Sequence, residues 1–217
     1  MVGAVSHHAH AHSHAHGLLD PSLRRSRAGL RAVGASLAVL GATAIAQAVI
    51  VVATGSIALL ADLIHNAGDA LTALPVGAAF LARSARAEEI AGRFVVAAIF
   101  ISACVAGYEA ILRLVDPHAP DRLGALALAG VIGFAGNWVA ARIRARAGHR
   151  LQSAALIADA DHARADAYVS LGVVASAAVV ALGLDLADPL IGLAITIVIL
   201  RITWQSWGTV RGDRHHR

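Results

Sequence analysis

The stretch SIALLADLIHNAGDALTAL, residues 56–74, recurs without a gap at residues 153–171 as SAALIADADHARADAYVSL. Nine of the nineteen aligned positions are identical, and both copies carry the pattern DxxHxxxD. In an α-helix, spacings of three, four and seven residues put side chains on one face. Each copy is therefore predicted to be a helix with a carboxylate, an imidazole and a second carboxylate along one side.

The chain that carries this repeat is too apolar for an ordinary soluble domain, because 58% of its 217 residues are hydrophobic and 15% are charged. A membrane-spanning helix needs about 20 mostly apolar residues. No cleavable signal peptide is visible, since the first thirty residues are rich in His and Arg. We predict an all-α, six-helix transmembrane bundle with spans at residues 32–53, 56–82, 94–114, 122–141, 153–184 and 188–208.

The distribution of arginines predicts how this bundle is oriented. Cytoplasmic loops are enriched in Lys and Arg, and fourteen arginines fall in the two tails and in the 2–3 and 4–5 connections. The opposite connections hold only Arg113 and Arg122. We therefore expect both termini to be cytoplasmic. Membrane topology also accounts for the net charge of +4, so no nucleic-acid partner is expected.

Three segments are predicted along the chain. Residues 1–31 form a His- and Arg-rich cytoplasmic tail that we interpret as disordered, residues 32–208 form the transmembrane domain, and residues 209–217 form a short cytoplasmic tail. The histidines near the N-terminus alternate with Ala and Ser. Neutral imidazole is a common metal ligand, so this tail either holds metal weakly or is a solvated segment without an essential role.

The two DxxHxxxD copies are offset by 97 residues and three predicted helices. Because three is an odd number, helices 2 and 5 should run in opposite directions, as an inverted three-plus-three repeat. Transporters built from inverted repeats bind their substrate near the membrane midplane. His65 lies about 14 Å into its helix at the usual helical rise. Ionisable groups at such depth normally face a partner or a water-filled cavity.

Four repeated residues form a candidate metal site: His65, Asp69, His162 and Asp166. Two imidazoles and two carboxylates suit tetrahedral Zn²⁺. The lack of sulfur disfavours Cu⁺, and the imidazoles disfavour Mg²⁺, which prefers oxygen ligands. The alternative is a set of interhelical hydrogen bonds or ion pairs without metal, in which Arg164 neutralises one of the aspartates.

Asp62 and Asp159 each precede the repeated histidine by one helical turn. Such a carboxylate can accept a hydrogen bond from a metal-binding histidine, or it can be a solvated group at the end of a helix. We favour the solvated interpretation for both residues, and the other stays open.

The segments SIALLADLIHNAGDAL (56–71), ALIADADHARADAYVSLGVV (155–174) and GYEAILRLVDP (107–117) resemble helices 2, 5 and 3 of the cation diffusion facilitator family. The resemblance covers roughly residues 30–210. It implies a dimeric six-helix exporter that exchanges cytoplasmic metal for protons from outside. It also implies that the transport site is formed by the two histidines and two aspartates named above. Family members with His and Asp on both helices are usually zinc transporters, so Zn²⁺ is the expected substrate, with Co²⁺ and Ni²⁺ as alternatives.

Two features depart from the pattern of that family. A typical member continues after helix 6 into a cytoplasmic ferredoxin-like domain, whereas ten residues follow Trp207 here. We therefore expect a homodimer held by membrane helices. The 2–3 connection retains RAE at residues 86–88 but lacks the histidines that some relatives use for a second metal site. No second site is expected.

The expected function is export of a divalent transition metal, foremost Zn²⁺, across the inner membrane of a bacterium. The resemblance implies that inward movement of protons drives this export, and the ligand chemistry fits it, since imidazoles and carboxylates must lose protons to bind metal. The alternative is a membrane scaffold or sensor that binds metal without moving it. A membrane metallohydrolase needs an open zinc position and a general base. No HExxH motif occurs in the chain, so we expect no enzymatic activity.

Overall fold

The computed structural model describes residues 21–54, 63, 71–115, 122–184 and 187–212. Within these described residues the structure has six helices and no strand. This confirms the prediction of an all-α, six-helix fold. The helices are α1 (Pro21–Thr54), α2 (Ala73–Ala82), α3 (Ala85–Val115), α4 (Leu123–Leu151), α5 (Ala154–Ala181) and α6 (Ala187–Gly212).

Five helices in the described part of the chain, all except α2, are long and apolar enough to cross a membrane. The segment 56–70 of the second predicted span lies outside the described residues, apart from Leu63. The cytoplasmic location of the termini and the inverted repeat therefore stay predictions.

The N-terminal boundary of α1 differs from the sequence prediction. The helix begins at Pro21, so residues 21–31, which we assigned to the polar tail, are helical. Proline is tolerated in the first turn because the N–H it lacks would have no helical partner there. Arg25 then anchors these turns, since its guanidinium pairs with Glu88 of α3 and lies 5.6 Å from the centre of the Phe80 ring. Tertiary contacts extend α1 beyond the apolar stretch.

Helix α5 occupies the centre of the bundle, where it packs against α2, α3, α4 and α6. Most of its buried positions are Ala, Ser or Gly, and such small residues let membrane helices approach closely. Helix α1 packs on the outside, against α2 and α4. The second DxxHxxxD copy thus lies on the helix with the most neighbours, which keeps its charged groups away from lipid.

Three glycines of α4 that are spaced three residues apart, Gly130, Gly133 and Gly136, set its distance from its neighbours. A Cβ added at Gly130 would lie 2.8 Å from the Cγ2 atom of Val174 on α5. A Cβ at Gly136 would overlap the side chain of Thr43 on α1. Helix α4 therefore approaches both helices at contact distances that no larger residue permits without a shift.

A two-residue turn joins α4 to α5. Gln152 adopts the left-handed conformation, with φ of 49°, and its N–H bonds to the carbonyls that end α4. The Ser153 hydroxyl accepts a hydrogen bond from the N–H of Leu156, at 3.4 Å. Serine is a favoured residue at this capping position. This cap fixes where α5 begins and therefore the position of every functional residue along it.

Candidate metal centre

Two of the four predicted ligands, His162 and Asp166, are described, and both are buried on α5. The exposed fraction is 0% for His162 and 7% for Asp166. The distance from His162 Nδ1 to Asp166 Oδ1 is 3.9 Å, which is too long for a hydrogen bond but shows that the two side chains share one face. His65 and Asp69 lie outside the described residues.

Metal ligation can be assessed only within the residues that the structure describes. There, no group of three or more His, Cys, Asp or Glu side chains is arranged to hold a metal ion. His162 and Asp166 alone supply one nitrogen and one carboxylate. A tetrahedral zinc site would need further ligands from another helix or from water. The four-residue site therefore stays a prediction.

One turn before His162, the Asp159 carboxylate takes part in a buried network that joins four parts of the chain. Arg144 of α4 donates from Nη1 to Asp159 Oδ1 at 3.2 Å. It also donates from Nε to the hydroxyl of Ser36 on α1, at 2.9 Å. The hydroxyl of Thr72, just before α2, donates to the same Asp159 oxygen at 3.4 Å. The guanidinium and carboxylate are 1% and 0% exposed.

This network corrects two interpretations of the sequence. The solvated carboxylate that we favoured for Asp159 is wrong, because the group is fully buried and paired with a cation. Arg144, which we counted in the 4–5 connection, lies within α4 and is buried. A buried carboxylate needs such a partner, since desolvation of an unpaired charge is costly. Asp62, the equivalent of Asp159 in the first copy, lies outside the described residues.

Asp161 is a buried acidic residue that our sequence analysis did not consider. Its Oδ2 atom accepts a hydrogen bond from Ser206 of α6 at 2.7 Å, and its Oδ1 atom accepts one from Arg164 at 2.8 Å. Arg164 thus pairs with Asp161 on its own helix, a partner that we had not considered when we suggested that it neutralises a motif aspartate. The spacing of three between Asp161 and Arg164 is the sequence signal that could have revealed this pair.

A second charged network closes the end of the bundle at which α5 begins. Glu88 of α3 is buried, and its Oε2 atom accepts hydrogen bonds from Arg25 Nη2 at 2.9 Å and from the Ser153 hydroxyl at 2.8 Å. Arg25 also donates from Nε to the carbonyl of Leu151 at 3.2 Å. The network joins α1, α3 and the α4–α5 turn. Only one part of this network had been noted in the sequence, the RAE motif, which contains Glu88.

Comparison with known proteins assigns this helical arrangement to a family. Residues 33–207 match the cation efflux transmembrane domain. Two strains of Mycobacterium tuberculosis have a protein named "probable cation efflux system protein" that is 52% identical over 195 residues, which cover 85% of this chain and 59% of the relative. An uncharacterized transporter of Synechocystis is 33% identical over 181 residues, which cover 77% of this chain and 57% of the relative.

The chain thus spans less than two thirds of the length of these relatives. The matched region nevertheless includes both DxxHxxxD copies and most of all six helices. This match confirms the resemblance found in the sequence, and the chain belongs to the cation efflux, or cation diffusion facilitator, family.

Proposed function

We propose that the protein exports a divalent transition-metal cation, preferentially Zn²⁺, from the cytoplasm in exchange for protons. Membership of the cation efflux family and the names of the relatives support export of a metal cation. The observation that carries the choice of site is the burial of His162 and Asp166 on one face of the central helix. Ionisable residues inside membrane proteins are costly and normally serve a substrate or proton pathway.

His65 and Asp69 are proposed to complete the site. Support comes from the contact between Thr72 and Asp159, because Thr72 follows Asp69 by three residues and Asp159 precedes His162 by three. Two imidazoles and two carboxylates are a ligand set typical of zinc proteins. Co²⁺ and Ni²⁺ accept the same donor atoms and are the next candidates.

Exchange with protons follows from the chemistry of these ligands. Each imidazole and carboxylate must be deprotonated to bind metal, so metal binding and protonation compete for the same atoms. When the site opens to the more acidic side, protons displace the metal. When it opens to the cytoplasm, where the proton activity is lower, the site loses protons and takes up metal again.

The buried networks beside the site hold α5 in place while metal and protons exchange. Asp159 is tied to α4 by Arg144, and Asp161 is tied to α6 by Ser206. His162 lies directly after Asp161 in the chain, so these contacts restrict the rotation of the helical turn that carries the proposed ligand. A fixed ligand geometry favours metals that prefer tetrahedral coordination.

The proposed location is the inner membrane of a bacterium, with both termini in the cytoplasm. The bacterial relatives and the distribution of arginines support this arrangement. We also propose a homodimer held by contacts between membrane helices. Cross-linking of the protein in membranes at several protein-to-lipid ratios would test the dimer. The cross-linked fraction of a specific dimer should persist when the protein is diluted in lipid.

Zinc flux in proteoliposomes with an imposed pH gradient tests the function and the site together. In the unaltered protein, Zn²⁺ should move in the direction opposite to the flow of protons down their gradient. Asp166→Asn should abolish this flux and weaken zinc binding. Glu89→Gln is the matched control, because Glu89 is a partly exposed carboxylate on α3 that pairs with Arg93. Flux that persists in Asp166→Asn would refute the site. Zinc binding without flux in the unaltered protein would favour a scaffold or sensor instead.

A further inference from the structure

Beyond His162 and Asp166, the polar face of α5 continues to Ser170. Ser170 follows Asp166 by four residues, so it lies on the next turn, about 6 Å further along the helix. It is buried, with 6% of its surface exposed. The spacing of four that aligns His162 with Asp166 therefore brings a hydroxyl into line beyond them. In the predicted topology this direction leads away from the cytoplasm.

Gln47 of α1 is the second polar group at this level. Its side chain is 3% exposed, and its Nε2 atom donates to the carbonyl of Ala129 on α4 at 3.2 Å. This bond requires the amide nitrogen at that position, which fixes the orientation of the amide. The Oε1 atom is buried and accepts no hydrogen bond from any residue that the structure describes.

Gln47 and Ser170 converge at Gly133 of α4. A Cβ added there would lie 2.8 Å from Ser170 Oγ and 3.1 Å from Gln47 Nε2. The two polar side chains, from α1 and α5, therefore meet at the backbone of residue 133, and both can come this close because that residue has no side chain.

Helix packing explains the hydrogen bond made by the Gln47 amide nitrogen but not the burial of the amide oxygen. Interhelical hydrogen bonds from polar side chains stabilise membrane bundles, and the bond from Gln47 to Ala129 is one of them. The buried Gln47 oxygen gains nothing from that bond. A buried acceptor without a donor is costly and is usually satisfied by water or an ion, or is retained for function.

We propose that Gln47 and Ser170 bind the hydrated metal cation on its path between the His162–Asp166 level and the outer end of the bundle. This inference rests on the proposed function. Waters around a divalent cation are strong hydrogen-bond donors, so an amide oxygen and a hydroxyl bind them without displacing them. Neutral oxygen groups hold a transition metal less tightly than imidazoles and carboxylates do. The ion can therefore leave this site readily, as a release path requires.

Removal of the amide tests the proposal. Gln47→Met keeps the length of the side chain, and we expect it to lower the maximal zinc flux in proteoliposomes about tenfold, equivalent to about 1.4 kcal/mol of barrier. Equilibrium zinc binding to the solubilised variant should stay unchanged, because the proposed ligands are intact. Gln205→Met is the matched control, since Gln205 is an exposed residue of α6.

Two further variants keep the test valid if Gln47→Met folds poorly. Ser170→Ala removes only a hydroxyl and should also lower flux while zinc binding persists. Gly133→Ala places a methyl group where the two polar side chains meet and should have the same effect. Gly124→Ala is its control on the same helix, because a Cβ there meets no atom within 4 Å.

The outcomes separate this inference from the proposed function. Lower flux with unchanged zinc binding in Gln47→Met and Ser170→Ala supports the release site. Equal flux in the variants and the unaltered protein overturns the inference but leaves the proposed function standing. A parallel loss of zinc binding also overturns it, because the residues would then support the ligands themselves. An unaltered protein that moves no zinc overturns both.

Discussion

Replacement of Arg144 by methionine should leave the Asp159 carboxylate buried without its cation. In the structure the guanidinium is 1% exposed, the carboxylate is 0% exposed, and 3.2 Å separates Nη1 from Oδ1. Removal of one partner from a buried ion pair typically costs about 3–5 kcal/mol of folding free energy. The hydrogen bond to Ser36 is also lost. We therefore expect Arg144→Met to lower the free energy of unfolding by about 3–5 kcal/mol.

A double-mutant cycle separates the ion pair from the other contacts of Arg144. Asp159→Asn removes the charge that Arg144 compensates, so Arg144→Met should cost less in that background. Contacting residues in one network usually show interaction energies of about 0.5–3 kcal/mol, and full burial of this pair favours the upper part of that range. The free energies come from denaturant unfolding in mixed micelles, followed by circular dichroism.

Arg146→Met on the same helix is the control. Arg146 is exposed, and substitutions at exposed positions usually change stability by less than about 0.5 kcal/mol. Equal losses at Arg144 and Arg146 would contradict the buried network. So would a double variant whose loss is the simple sum of the single losses.

Two further predictions concern the contacts of α4 and α5 with their neighbours, and the same unfolding assay measures both. Gly136→Ala puts a methyl group onto Thr43 and should cost about 1–3 kcal/mol through overpacking. Gly124→Ala should not lower stability, because a Cβ there meets no atom within 4 Å and alanine favours a helix more than glycine does. Equal losses at the two positions would contradict overpacking against Thr43. Ser206→Ala removes the hydroxyl that donates to Asp161 Oδ2, while the bond from Arg164 to Oδ1 remains, and should cost about 1–3 kcal/mol. Unchanged stability would mean that water replaces the hydroxyl.

The number and type of the helices follow from the apolar stretches, but their ends do not. A hydropathy pattern detects the part of a helix that meets lipid and misses turns that polar contacts hold together. Helix α1 therefore begins at Pro21, where Arg25 pairs with Glu88. Helix α4 likewise continues to Leu151, beyond the predicted end of its span.

The site could be predicted where its geometry is local to one helix. The spacing of four placed His162 and Asp166 on one face, and both are buried there. The partner of Asp159 could not be predicted in this way, because Arg144 lies on another helix and the pairing depends on how α4 packs against α5. A positively charged residue near the end of a span also resembles an ordinary cytoplasmic arginine.

Proton movement that accompanies zinc transport is the most direct test of the central claim. Proteoliposomes that enclose a pH-sensitive dye receive a Zn²⁺ gradient without an imposed pH gradient, and zinc and proton fluxes are recorded together. The proposal predicts that protons move opposite to zinc and that His162→Ala abolishes both fluxes. Zinc flux without opposing proton movement, or equal fluxes in His162→Ala, would contradict it.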